Sequence, residues 1–418
     1  MSRVTLSSLR SVCSVAAAAA LLLTAFSGCG SDRPGVLIDG DQLTVVTSAP
    51  LSGELQDAGQ AMVNGERLAL ADAGGMAGPF TVSLMILNSV QGQMKLSSEA
   101  QVASNARAAV LAPTSIAYIG DYESSATAIS LPLTNQGGIA ELSPLSAYGG
   151  FTSSEQAGAD EPRRFYPSGK RTFVRLVPSQ LRETTAQAAL QGQQKCRASF
   201  VAYSDSPLGK SSAKALSAAL KRNSVSTAGS AASSGKSSDV ASFAQQVKAS
   251  GADCLAYGGP INMATAELFN RLITTDSSLR FFTGRGGDSA PFTENLSARA
   301  QRATLITGPG PDPEDLGVSG AAFSKRYRAQ FGTDPGVPGL YGYEAMAAVL
   351  GAIRRSGSAG NNRLRVIAAL NATARRDSVL GSYSIGPDGD STLNSFTVSR
   401  VVGGQLVVSQ PLTAAIAN

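Results

Sequence analysis

The stretch "AYIGDYESSATAISLPLTNQGGIAELSP", residues 117–144, reads as one strand, a glycine turn, a helix and a second strand. The apolar runs at 116–119 and 139–142 have strand length, and the segment 125–136 between them has helical spacing. A strand, a helix and a further strand joined by short turns form the unit of a parallel sheet. Gly120 lets the chain turn at the first strand end. Ser124 and Ser125 then fall where the helix begins, among backbone N–H groups that have no partner within the helix. Such a helix start suits a carboxylate or phosphate, and it equally suits plain N-capping by serine.

The same alternation extends in both directions. Strands are expected at 43–47 and 81–86, with helices near 59–73 and 94–111. A second series follows, with strands near 172–177, 198–203, 225–229, 254–258, 280–283 and 303–306. Two series of this kind predict an α/β protein of two doubly wound parallel-sheet lobes. Residues 148–171, rich in Gly, Pro, Ser and charge, read as a long surface loop, and "GSAASSGKSS" (229–238) reads as a loop before a helix near 239–250. The Pro-rich "GPGPDPEDL" (308–316) fits a hinge crossing. Its Asp312, Glu314 and Asp315 read as solvated hinge acids in preference to a weak calcium site.

Residues 1–28 read as a targeting segment. Arg3 and Arg10 open it, and an apolar run too short to span a bilayer ends at Ser27-Gly28-Cys29. That ending resembles a bacterial lipobox, with Phe26 in place of the usual Leu. Cys29 is then the lipidated first residue and 29–41 a tether to the outer face of the cell membrane. An ordinary secretory signal cut nearby is the alternative, and either reading puts the protein outside the cytoplasm. Without residues 1–28 the formal net charge falls from +5 to +3, too mild to argue for nucleic acid. With 43% hydrophobic and 16% charged residues, the remaining 390 can bury the cores of two domains. Cys196 and Cys254 precede or open neighbouring strand-like runs, at one end of a shared sheet, and are the disulfide candidates in an oxidising compartment.

The chain has no histidine, so Ser-His and Cys-His dyads and His-based zinc sites are excluded. "GKSS" (209–212) lacks the upstream glycine of a phosphate-binding loop, and no cofactor fingerprint or metal cluster is found. Ser206 and Lys210 are near in sequence, but no nucleophile turn surrounds them, so hydrolysis is a remote alternative. The turns "SAPLSGEL" (48–55), "YIGDYESSATAIS" (118–130) and "ELSPLSAY" (141–148) stand at strand ends, where open α/β sheets bind ligands.

In register, "TSAPLSGELQDAGQAMVNGERLAL", the 117–144 stretch, "FVAYSDSPLGKSSAKAL", "ADCLAYGGPINMATAELFNRL", "FFTGRGG" and "YGYEAMAAVLGAI" resemble the type 1 periplasmic-binding-protein family, in its Leu/Ile/Val-binding branch. The resemblance runs from Leu43 to the end. It implies three hinge crossings, near Leu176, Thr307 and Ser382. Lobe 1 would then be 42–176 plus 308–382, and lobe 2 would be 177–307 plus 383–418. It further implies a non-enzymatic solute-binding protein that traps an amino acid or related small carboxylate and delivers it to an ABC permease. A sensor of the same fold, feeding a signalling partner, is the alternative. The ligand-contact set implied is Ser52, Tyr122, Ser124, Ser125, Leu145, Ser146, Ala147, Leu208, Pro260, Arg285 and Asp288. Ala58, Leu208 and Pro260 stand where relatives place aromatics, and Gly286 stands where they place the acid that pairs with the ligand's amino group. Asp288, Asp121 or Glu123 substitutes for that acid, or the ligand is not a free amino acid. Arg285 then either pairs with an anionic ligand or is a solvated surface arginine.

Overall fold

The computed structural model of the protein describes residues 36–413, apart from 156, 234–236, 288 and 311–316. The targeting segment, Cys29, Asp288 and the acids at 312, 314 and 315 lie outside the described residues. The first lobe is built from β1 (Gln42–Ala49), α1 (Gln56–Asp72), β2 (Met76–Ala77), β3 (Phe80–Asn88), α2 (Glu99–Leu111), β4 (Ser115–Ile119), α3 (Ser124–Gln136), β5 (Ala140–Ser143) and β6 (Phe173–Arg175). Its sheet has the order β2-β3-β1-β4-β5-β6, parallel except for the short β2. The near-continuous apolar runs of β1 and β4 follow from burial on both faces of the sheet.

The second lobe continues with α4 (Gln180–Gln193), β7 (Ala198–Ser204), α5 (Pro207–Arg222), β8 (Ser226–Ser233), α6 (Ser237–Ala249), β9 (Cys254–Gly258), α7 (Met263–Thr275), β10 (Arg280–Thr283), α8 (Ala290–Thr293), α9 (Ala298–Ala303) and β11 (Thr304–Pro309). The chain then returns to the first lobe as α10 (Gly317–Phe331), α11 (Gly336–Arg355) and α12 (Arg363–Asn371). It finishes in the second lobe with β12 (Ser395–Val402) and β13 (Gln405–Thr413). That sheet has the order β13-β12-β11-β10-β9-β7-β8, parallel except for β12, which runs antiparallel to both of its neighbours. Gly403 and Gly404, both at positive φ, make the two-residue turn between β12 and β13 that a right-twisted hairpin favours. β13 is the outer edge of the sheet. It exposes Leu406, Val407 and Val408, and carries Pro411, which has no N–H to donate.

The first sheet gives way to the second lobe between β6 and α4, and the chain comes back to the second sheet between α12 and β12. Tyr383, Ile385 and Leu393 pack in the first-lobe core with Val45, Ile119, Leu340 and Met346, and the second sheet resumes at Ser395. α1 and α11 approach backbone to backbone, since a Cβ on Gly342 would lie 2.1 Å from the Met62 carbonyl oxygen.

Two expectations change. Residues 148–171 are no mere surface loop: Tyr148, Phe165 and Phe173 pack edge-on against Phe151, and with Leu131 and Tyr166 they form a satellite core. Residues 229–233 continue β8 as an edge strand, where small side chains suffice because one flank of the strand has no neighbour. Cys196 and Cys254 are bonded, with Cα atoms 5.9 Å apart, because Cys254 pairs in register with Ser199 on the adjacent strand.

Candidate functional site

Apart from β2 and the terminal hairpin, both sheets run in the order second, first, third, fourth, fifth strand. In each, the strand order therefore reverses between the first and third strands, and the crevice there, outside the carboxyl ends, is where such sheets take ligands. The reversals lie between β1 and β4 in the first lobe, and between β7 and β9 in the second. The turns leaving those strands carry Ser52, Tyr122, Ser124, Ser125, Leu208 and Pro260. The turns after β5 and β10 add Leu145, Ser146, Ala147 and Arg285.

Within the first lobe these turns are tied together by hydrogen bonds. Asn88 accepts from the Leu51 N–H and donates to the Ser52 hydroxyl at 3.0 Å. The Asp121 N–H donates to the Thr127 hydroxyl, and Thr127 meets the Ser146 hydroxyl at 2.5 Å. Ser143 donates to the Asp121 carbonyl and accepts from the Ser146 N–H. Ser146 is thus fully buried with its hydroxyl engaged, and contributes to the wall as a brace. Tyr122 is half-buried against the first-lobe core.

α3 begins at Ser124, and its cap position is Glu123, whose side chain makes no cap hydrogen bond. Neither serine caps the helix. The Ser124 hydroxyl accepts from the Tyr148 N–H at 3.2 Å, while Ser125, one residue on, is exposed. The Glu123 carboxylate accepts from the Ser97 N–H.

Beneath this wall lies a cluster of buried acids. Asp121 accepts from the Tyr118 phenol at 3.2 Å, and burial lifts its carboxyl from 3.8 to about 6. Glu141 accepts from Ser130 at 2.8 Å and Thr134 at 2.5 Å, and burial, with the Asp121 charge beside it, raises it well above the usual carboxylate range. Glu66 is likewise raised by burial despite its bond from Thr47.

In the second lobe, Ser206 caps α5 through the Gly209 N–H, and Lys210 pairs at the surface with Asp205. The one Ser-Lys pair that suggested a nucleophile is therefore a helix cap and a solvated ion pair. Pro260 is exposed, just before the Asn262–Thr265 capping box of α7.

The lobes meet at several places among the described residues. Leu208 packs against the Tyr148 and Phe151 cluster of the first lobe. The Gln180 N–H donates to the Ala147 carbonyl at 2.7 Å, and its side-chain amide donates to the Leu208 carbonyl and to Ser212. The Arg285 guanidinium reaches across, its Nη1 donating to the Leu145 carbonyl. The Arg285 Nε and Nη2 are buried and meet no hydrogen-bond partner among the described residues, while Glu183 accepts from the Arg285 N–H at 2.5 Å. The Tyr341 phenol, raised by burial, feels the Arg285 charge. Arg285 is therefore partly buried where the two lobes meet. Gln180, Glu183 and Tyr341 join the site unforeseen. The signal available for the first two was their place at the first turn after a crossing.

A model of the periplasmic binding protein family matches residues 42–405. A leucine-binding protein of Thermotoga maritima superposes with a TM-score of 0.71 at 17% identity, over 89% of this chain and 99% of that one. A branched-chain amino acid binding protein of Streptococcus pneumoniae, in complex with isoleucine, gives 0.70 at 16%, over 88% and 100%. A solute-binding protein of Rhodopseudomonas palustris in complex with 3,4-dihydroxybenzoic acid gives 0.69 at 16%, over 90% and 99%. At these identities the likeness is one of fold. No curated protein matches the chain.

Proposed function

This chain belongs to the periplasmic binding protein family, and from that premise we propose that it captures a small carboxylate, an amino acid or a related acid, in the cleft between its lobes and delivers it to an ABC permease. As a member it is a solute-binding protein and not an enzyme, and the family places it outside the cytoplasm. Cys29, by its lipobox-like setting, would hold it at the membrane beside that permease.

The observation that carries the carboxylate reading is Arg285, a buried cation of one lobe bonded to the backbone of the other. The named ligands of the relatives, leucine, isoleucine and dihydroxybenzoic acid, share one group, a carboxylate. The free N–H groups at the start of α3, with Ser125 exposed beside them, supply a second place for negative charge. Trapping follows from the architecture. A ligand touching both lobes binds the closed arrangement better than the open one, and so shifts the population toward it.

The test is a thermal-shift panel of amino acids, organic acids and aromatic acids on the purified protein. A ligand that binds only the folded form raises the midpoint, by an amount that grows with its concentration. A panel in which no solute moves the midpoint overturns the reading.

A further inference from the structure

We propose that the ligand's carboxylate is gripped by the Nε–Nη2 edge of Arg285 and that an amino group is dispensable, so that the captured solute is an organic acid. This rests on the reading of the cleft as the solute site and goes beyond it by naming the group that is recognised.

Nε and Nη2 lie on the same side of a guanidinium, and their two N–H bonds form the fork that matches a carboxylate bidentately. In Arg285 that pair is buried without a partner among the described residues. The other nitrogen, Nη1, donates to the Leu145 carbonyl of the opposite lobe, which fixes the plane of the group and hence the aim of the fork. The main chain at this point is also held, since Glu183 accepts from the Arg285 N–H. Buried charged donors without acceptors are costly, and two parallel bonds from a carboxylate relieve that cost.

The Arg285 charge disfavours an ammonium beside it. An α-amino group rides within a few bonds of its carboxylate and would lie close to the guanidinium, where like charges repel. The described acids nearest the cleft are engaged: Glu183 with the Arg285 N–H, Asp121 with the Tyr118 phenol, and Glu123 with the Ser97 N–H.

The experiment is isothermal titration calorimetry of the purified protein with probes of one carbon skeleton: 4-methylpentanoate with only the carboxylate, leucine with both groups, and 3-methylbutylamine with only the amine. Benzoate is added as an aromatic acid. The expected result is binding of at least one of the two acids, with leucine no tighter than 4-methylpentanoate and no binding of the amine. Arg285→Gln should weaken the acid roughly 100-fold. Arg285→Lys, which keeps the charge and loses the fork, should weaken it roughly 10-fold. In both variants the ligand-free midpoint should be unchanged or higher, because a buried unpaired edge is removed.

Leucine binding ten-fold tighter than 4-methylpentanoate, or acid affinity unchanged in folded Arg285→Gln, overturns the proposal and leaves the solute-binding reading standing. Failure of every probe, and of a broader metabolite panel, to bind the wild-type protein overturns both.

Discussion

Arg175 and Asp390 form a buried ion pair that fastens the first crossing to the third, with Nε and Nη2 of the arginine at 3.1 and 2.6 Å from one carboxylate oxygen. The same guanidinium donates to the Tyr148 carbonyl at 2.6 Å and to the Thr152 hydroxyl, so that the hinge and the wall after β5 share one fastening. Removing one partner of a buried pair leaves the other charge stranded. Asp390→Ala should therefore lower the unfolding free energy by about 3 kcal/mol, read by urea denaturation. Arg175→Met combined with Asp390→Ala should cost less than the sum of the two singles; strict additivity would deny the pair.

The two serines at the start of α3 have separate duties, and single substitutions should divide them. Ser124→Ala deprives the Tyr148 N–H of its acceptor and should cost about 1 kcal/mol of stability. Ser125→Ala, at an exposed position, should leave the ligand-free midpoint unchanged and weaken carboxylate binding roughly ten-fold, about 1.4 kcal/mol. Thermal melts of the ligand-free protein and calorimetric titration with the best acid check both. Normal affinity in Ser125→Ala would remove that serine from the site.

Asp121 should make the protein less stable as pH rises. Its carboxyl titrates near 3.8 ordinarily and near 6 when folded, because burial disfavours the charge. Below pH 3.8 the group is protonated in both states and no penalty exists. Between those values the unfolded chain loses its proton first, and above pH 6 the full penalty, about 3 kcal/mol, weighs on the fold. Glu141 and Glu66, also raised by burial, act in the same direction. Asp121→Asn should accordingly stabilise at pH 7.5 by about 2 kcal/mol, with the gain vanishing near pH 4. Urea unfolding at the two pH values measures it, and an equal gain at both would rule out the titration of Asp121 as its source.

Most of the alternation of strands and helices was legible because burial on both faces leaves short apolar runs, β-branched in β1 and Leu, Ala and Tyr in β9. Periodicity could not show the satellite core. Tyr148, Phe151, Phe165 and Tyr166 come from tight turns with no regular spacing, and it is packing around Phe151 that joins Tyr148, Phe165 and Phe173. The terminal hairpin was readable from Val402-Gly403-Gly404-Gln405, two glycines between apolar flanks, yet was not assigned. Of the candidate site, the strand ends alone point to Ser124, Ser125 and Ser146, while Leu145 comes only from the family resemblance. The role of Arg285 could not be read there, since it depends on which edge of a guanidinium the opposite lobe leaves unpaired. Ser146 shows the converse, a strand-end serine whose hydroxyl proves to be occupied by Thr127.

The disulfide stands where β9 begins, and the cleft lies beyond the other end of that strand. Cys196→Ala combined with Cys254→Ala should lower stability by about 4 kcal/mol, for a loop of this length on the chain-entropy model, without changing ligand affinity. Denaturant titration and calorimetry separate the two effects. Thiol counting on the unfolded, unreduced domain should find neither cysteine free.

Pro411 matters most where no ligand is involved. Leu406, Val407 and Val408 offer an apolar ribbon at the open margin of the second sheet, the kind of margin along which a strand from another molecule can add. A proline in that ribbon interrupts the run of backbone donors an incoming strand would need. Copies of this protein that meet are thereby denied a continuous seam, and each sheet ends with its own chain instead of growing into its neighbour's.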